Sequence, residues 1–284
     1  MHIANPIYDV VFKYMLEDSK VAKLFLSAII GENIMELEFS AQERTVEIPS
    51  TSADRSPLTV CRLDFSAKIK TPTGFRTVLI ELQKAKFLSD LMRFRRYPGV
   101  HYQNPDNAHG KSARQIYCIY FLNYGMKLPP RPVLKVDYRV HDACTGDELP
   151  ASGEFVSGLH HRSWIVQIRR LKKRRRNDLE KILSIFDQSR ITDIRYILNV
   201  DEESYPEAYR QIIRRLRKAM EDPQKRKEME LEDDIIGELQ DKERQIEEKS
   251  EAIIKMSRTI ADKAQTIAEL EKTVAELKLN LNLK

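Results

Sequence analysis

From Leu239 to Leu281 an apolar residue recurs at every seventh position without a miss: Leu239, Ile246, Ile253, Ile260, Ile267, Val274 and Leu281. An α-helix turns every 3.6 residues, so a strict period of seven keeps one stripe on a slowly winding seam. The pattern predicts a coiled coil over residues 231–284. With these residues at heptad position a, Ile235, Met256, Leu270 and Leu277 fall at d, as do Lys242, Lys249 and Lys263. β-branched residues at a with Leu at d favour two parallel strands, while lysines at d weaken the seam. The expectation is a homodimer joined through this tail. The plainer alternative is one long solvated helix packed back on its own domain.

Charge separates the tail from the rest. Residues 221–284 hold 12 Lys and Arg against 17 Asp and Glu, and residues 1–220 hold 36 against 26. The front part has the sign of a polyanion binder, a sign that solubility alone also produces. Cys61, Cys118 and Cys144 are scattered and odd in number, which fits neither a disulfide framework nor a zinc pattern. That points to a reducing, cytoplasmic setting. No basic-then-apolar leader opens the sequence, and the run "LFLSAII" is far too short to span a bilayer, so no membrane partner is expected.

The front part alternates helix and strand patterns. Residues 6–30 carry apolar side chains at helical spacing, divided near Asp18 and Ser19 and ended by Gly31. Residues 35–49 read as a strand and loop. Residues 58–70, "LTVCRLDFSAKIK", alternate with period two, "TPTG" makes a turn, and 75–83 return as the partner strand. Residues 87–103 begin as a helix that runs up to Pro98. "QIYCIYFLN", 115–123, reads as a buried strand, 131–171 as further strands, and the pattern turns helical from Asn177. The expected boundaries are 1–200 for an α/β domain, 201–230 for a helical connector and 231–284 for the coil.

The hairpin holds the candidate chemistry. In "RTVLIELQK", 76–84, Glu81 and Gln83 sit on one side of an otherwise apolar strand. The turn near Gly74 brings Asp64 of the other strand toward Glu81. Two opposed carboxylates repel unless a cation lies between them, and carboxylates with water are the ligands that suit Mg²⁺. An ordinary salt bridge with Arg62 or Arg95 is the competing explanation.

An Asp on one strand followed by Glu-x-Lys on the next resembles the PD-(D/E)XK nuclease core; here it is Asp64, then Glu81-Leu82-Gln83, with Gln in the place of Lys. The opening "NPIYDVVFKYMLED", followed by "LFLSAIIGENI", resembles the Rpn and transposase-like PD-(D/E)XK families. Asp9, Phe12 and Lys13 match their Asp-x-x-Phe-Lys signature, and Glu81-x-Gln83 matches their strand motif. Their following helix carries Arg and Tyr, which Arg93, Arg96 and Tyr97 match. The likeness covers about residues 5–125 and weakens over 126–200.

The resemblance implies a restriction-endonuclease-like fold, a mixed central sheet flanked by helices, and a Mg²⁺- or Mn²⁺-dependent DNA endonuclease linked to recombination, mobile elements or defence. It implies Asp64 and Glu81 as metal ligands and Gln83 as a water-orienting group. Asp9 would be a further acidic residue of the catalytic set, and Arg93 and Arg96 would contact DNA. The run "RRLKKRRR" adds Arg169, Arg170, Lys172, Lys173, Arg174, Arg175 and Arg176 as phosphate contacts, with a solvated linker as its plainer explanation. A dimer would offer two catalytic centres to two strands. His101, His160 and His161 lack partners at ligand spacing and read as polar surface or core. The rival function is a non-catalytic DNA-binding or coiled-coil scaffolding protein built on the same fold.

Overall fold

The break near Asp18 is real, and it sets how the first helices meet the sheet. In the computed structural model, α1 spans Asp9–Glu17 and α2 spans Ser19–Ile30. Asp18 between them has extended backbone, and its carboxylate accepts the N–H groups of Lys20 and Val21. That is an N-cap on α2. Gly31 closes α2 in the left-handed region at φ 74°, with its N–H donated to the Ser27 carbonyl. Glycine adopts that conformation at little cost. The structure describes residues 1–40, 62–71, 74–85, 98–99, 102–103, 108–109, 112–113, 115–123, 128–150, 156, 159–172 and 175–282. The expected loop after residue 40 and the helix of 87–97 lie outside them.

The strands are β1 (His2–Ala4), β2 (Ile34–Ser40), β3 (Arg62–Thr71), β4 (Gly74–Ala85), β5 (Gln115–Leu122), β6 (Val133–Val136), β7 (His161–Gln167) and β8 (Ile197–Asn199). Those of the main sheet fall in the stretches that read as strands, whereas β1 lies outside them and β8 lies where the pattern reads as helical from Asn177. Short antiparallel ladders also join 108–109 with 112–113 and 140–141 with 148–149. Among the described residues the main sheet has the order β2-β3-β4-β5-β7-β6. β2, β3 and β4 form an antiparallel meander. β5 lies parallel to both β4 and β7, and β6 is antiparallel to β7. The fold is therefore α/β with a mixed six-stranded sheet and flanking helices, as the alternating patterns predicted. β1 and β8 pair separately, antiparallel.

One side of the sheet carries Phe65, Ala67 and Ile69 of β3 and Val78 and Ile80 of β4, all buried. Helices and sheet meet through four phenylalanines. Phe12 of α1 meets Phe121 of β5 at 5.3 Å between ring centroids, and Phe25 of α2 stacks on Phe121 at 6.0 Å. Phe186 completes the group at 5.0 Å from Phe121. All four are fully buried. Phe12 belongs to the N-terminal signature, so part of that signature serves the core.

The chain continues through α3 (Asp178–Leu183), α4 (Glu207–Glu221) and α5 (Pro223–Asn282). α4 buries Ile212, Ile213, Leu216 and Ala219. This helix, inside the expected connector, thus packs its apolar face within the unit Met1–Asp233. The chain divides into two compact units, Met1–Asp233 and Asp234–Lys284. The second unit is the remainder of α5, a helix of 60 residues and so about 90 Å long. Ile246, Ile253, Ile260 and Ile267 are all more than half exposed along it.

Truncating a ring of the aromatic group removes buried area and leaves a cavity. Phe121→Ala is expected to lower unfolding free energy by about 3–5 kcal/mol in urea titrations. Phe75→Ala, at a side chain that is 59% exposed, should change it by less than about 0.5 kcal/mol.

Candidate functional site

The hairpin that carries the candidate carboxylates is regular. β3 and β4 pair from Arg62 with Gln83 to Thr71 with Gly74, without a bulge. Gly74 has φ 142°, a conformation that favours glycine at the end of so short a connection. In this register Asp64 is the direct partner of Glu81. Directly opposed residues of an antiparallel pair have their Cβ atoms about 4.5–5.5 Å apart. The side chains of Asp64, Glu81 and Gln83 lie outside the described set, and their positions are known through the backbone.

The register extends this level across the sheet. Ser40 of β2 pairs with Asp64, Glu81 with Cys118 of β5, and Cys118 with Ser163 of β7. Cys118 is fully buried and Ser163 nearly so. The opposed carboxylate positions thus border the buried middle of the sheet, where uncompensated like charge is costly. Two carboxylates at adjacent strand positions are donors of the kind that Mg²⁺ and Mn²⁺ take, so these residues fit such an ion. Among the described side chains, a set that excludes Asp64 and Glu81, no three His, Cys, Asp or Glu groups could together hold a metal.

A dyad near this row was not legible in the sequence. The Tyr102 hydroxyl and His161 Nδ1 are 3.1 Å apart, in a bond whose donor depends on the imidazole tautomer. His161 pairs with Ile116, which pairs with Leu79, so it occupies the sheet side of Glu81 two strands away. Burial, with a smaller contribution from Cys118, pushes the Tyr102 phenol up to about 12. Partial burial and then the neighbouring His160 hold the His161 imidazole below its usual value. His160 itself stacks on Tyr138 at 4.7 Å. Tyr102 and His161 are 59 residues apart, and no spacing rule joins them.

Asp9 stands in the first turn of α1, beside the start of α5. Its backbone N–H donates to both Glu232 carboxylate oxygens, at 2.9 and 2.7 Å. The preceding Tyr8 gives no side-chain cap, so Glu232 supplies the acceptor and the negative charge that a helix N-terminus favours. The Tyr8 hydroxyl donates to Asp233 Oδ1 at 2.7 Å. Burial first, and then the two carboxylates, raise the Tyr8 phenol far above its usual range.

The basic block divides by environment. Arg175 Nη2 lies 3.2 Å from Asp187 Oδ2, and Arg176 holds Glu180 through its Nε at 3.0 Å. Both carboxylates are almost fully buried. Arg175 and Arg176 thus neutralise acidic groups of the fold. Arg169 donates from Nε to the Asn123 carbonyl at 3.0 Å. Arg170 and Lys172 are exposed. Lys173 and Arg174, with Arg93 and Arg96 of the other candidate contacts, lie outside the described residues.

A second polar cluster closes the N-terminal ends of the parallel strands. Arg76 Nη2 donates to Glu32 Oε2 and to the Tyr117 hydroxyl, both at 2.6 Å. Arg162 reaches the same hydroxyl at 3.2 Å and Asp137 Oδ1 at 3.2 Å. This set alternates sign and ties the end of α2 to β4, β5 and β7.

No family model, no curated protein and no solved structure matches the chain. No helix among the described residues is long and apolar enough to cross a membrane.

The dyad has a measurable signature. Burial disfavours the imidazolium, so His161 should titrate below 6.5 by nuclear magnetic resonance. Whatever its neutral form contributes to stability is then kept at higher pH and lost as pH falls through that lowered value. A midpoint at or above 6.5 would contradict the geometry.

Proposed function

We propose that the chain is a metal-dependent endonuclease of the PD-(D/E)XK type that cleaves DNA, in the Rpn and transposase-like branch. The observation that carries this reading is the direct pairing of Asp64 with Glu81 in an unbulged hairpin. The mixed sheet, with an antiparallel meander followed by a parallel strand, is a frame compatible with a restriction-endonuclease-like fold.

Asp64 and Glu81 hold Mg²⁺ or Mn²⁺ in this reading. When bound there, such an ion would supply positive charge near a phosphodiester and would lower the pKa of a coordinated water. Gln83 lies two residues beyond Glu81, across from Arg62. Its amide can donate to and accept from a water, which orients it without adding charge. The function that a lysine ammonium performs at this position elsewhere in the superfamily is therefore only partly replaced. Arg170 and Lys172 bind phosphates of the duplex in a salt-dependent, sequence-independent way. The heptad face of α5 pairs two copies. In this reading the setting is reducing and cytoplasmic, where the buried Cys118 and the exposed Cys144 keep their thiols.

Gln83 also favours a second reading, a DNA-binding protein that has lost cleavage. A plasmid-nicking assay with Mg²⁺, Mn²⁺ or EDTA separates the two. The proposal expects nicking that needs the cation and is abolished by Asp64→Ala or Glu81→Ala, with far-ultraviolet circular dichroism unchanged. DNA binding indifferent to Mg²⁺, without any nicking, would support the second reading. Nicking by either variant at the parent rate would refute the site.

A further inference from the structure

We propose that α5 pairs with a second copy of itself in antiparallel orientation, so that the two folded units are joined at opposite ends of the rod. The inference rests on the self-association reading and adds its direction and register.

The surface needs a cover. Ile246, Ile253, Ile260 and Ile267 are 55–67% exposed, and Met256 and Leu270 on the same stripe are 64% and 59% exposed. An apolar stripe this long on a lone helix is unfavourable in water, and helices gain most of their stability by packing such a face. The strict period of seven selects another helix as the cover.

The lysines choose the direction. In a parallel pair each d residue faces its own copy. Lys242, Lys249 and Lys263 would then form three layers of like charge within the seam. In an antiparallel pair each d residue faces an a residue instead. One register pairs every a position with a d position from Ile235 to Leu281, with Ile235 opposite the partner's Leu281. That register sets Lys242 opposite the partner's Val274, Lys249 opposite the partner's Ile267, and Lys263 opposite the partner's Ile253. Each lysine stem then lies along a β-branched side chain while its ammonium reaches the rim. No layer holds two charges. Sliding by one heptad either way leaves some a and d positions unmatched or faces more of them with lysine. The stripe is therefore complementary to itself, which argues for a second copy rather than an unrelated helix.

The two-fold axis of this register passes at the level of Arg258. The junctions at Asp233 in the two copies then lie about 75 Å apart along the rod.

The test uses the full chain with the native cysteines replaced (Cys61→Ser, Cys118→Ala, Cys144→Ser). Single spin labels are placed at Arg244→Cys or Arg258→Cys, both exposed positions outside the seam. Among the described residues Arg244 has one exposed ion pair, with Asp241, to lose. Light scattering should give a dimer. Pulsed dipolar spectroscopy should give a separation above about 40 Å at position 244, since 28 residues of helix lie between the two levels. Position 258 should give about 20 Å, the width of two helices side by side. A separation near 20 Å at both positions means a parallel pair and overturns the proposal. A trimer or tetramer overturns it as well. A monomeric mass refutes the self-association reading itself, apart from the question of direction.

Discussion

The register between β3 and β4 decides what both sides of the sheet are made of. Strand side chains alternate sides, so a slip by one residue would exchange the two sets. In the observed pairing Phe65, Ala67 and Ile69 go to the buried side with Val78 and Ile80. The same pairing puts Asp64 and Glu81 together on the opposite side. A slip would turn one strand over and send its carboxylate, Asp64 or Glu81, toward the phenylalanine cluster, at a cost of several kcal/mol for the unpaired charge. Core packing thus enforces the opposition of two like charges. A fold that is compelled to oppose two carboxylates gains from a divalent cation between them. That conflict is the physical root of the proposed function.

The rest of the folded unit holds this hairpin in place. Phe12 and Phe25 fix both N-terminal helices to Phe121, on the strand that pairs with β4. Arg76 and Arg162 converge on Tyr117 and Glu32, closing one end of the same strands. Glu232 caps α1 from the first turns of α5, so the helix that later carries the heptad repeat begins as part of the core.

Much of this was legible beforehand, and the reason is local. Asp18 and Gly31 are terminators whose effect depends on neighbours a few residues away, and both act as read. Period-two alternation placed the hairpin, and the turn at Gly74 fixed which residues face each other. Pairings between residues distant in sequence were not legible. Arg175 and Arg176 read as part of one basic block, yet they answer the buried Asp187 and Glu180. Charge runs report net sign, whereas burial of a partner depends on tertiary packing. The same limit hid Tyr102 and His161, which only tertiary packing brings together. α4, within the expected connector, buries four apolar residues that helical spacing alone does not assign to a partner.

Ion binding tests the central conflict without relying on turnover. Titration of Mn²⁺ followed by electron paramagnetic resonance should show a site in the parent protein that is lost in both Asp64→Asn and Glu81→Gln. Neutralising either residue removes one donor and relieves the repulsion, so both variants should also be at least as stable as the parent without metal. Equal Mn²⁺ binding by parent and variants, or no binding by the parent, would contradict the account.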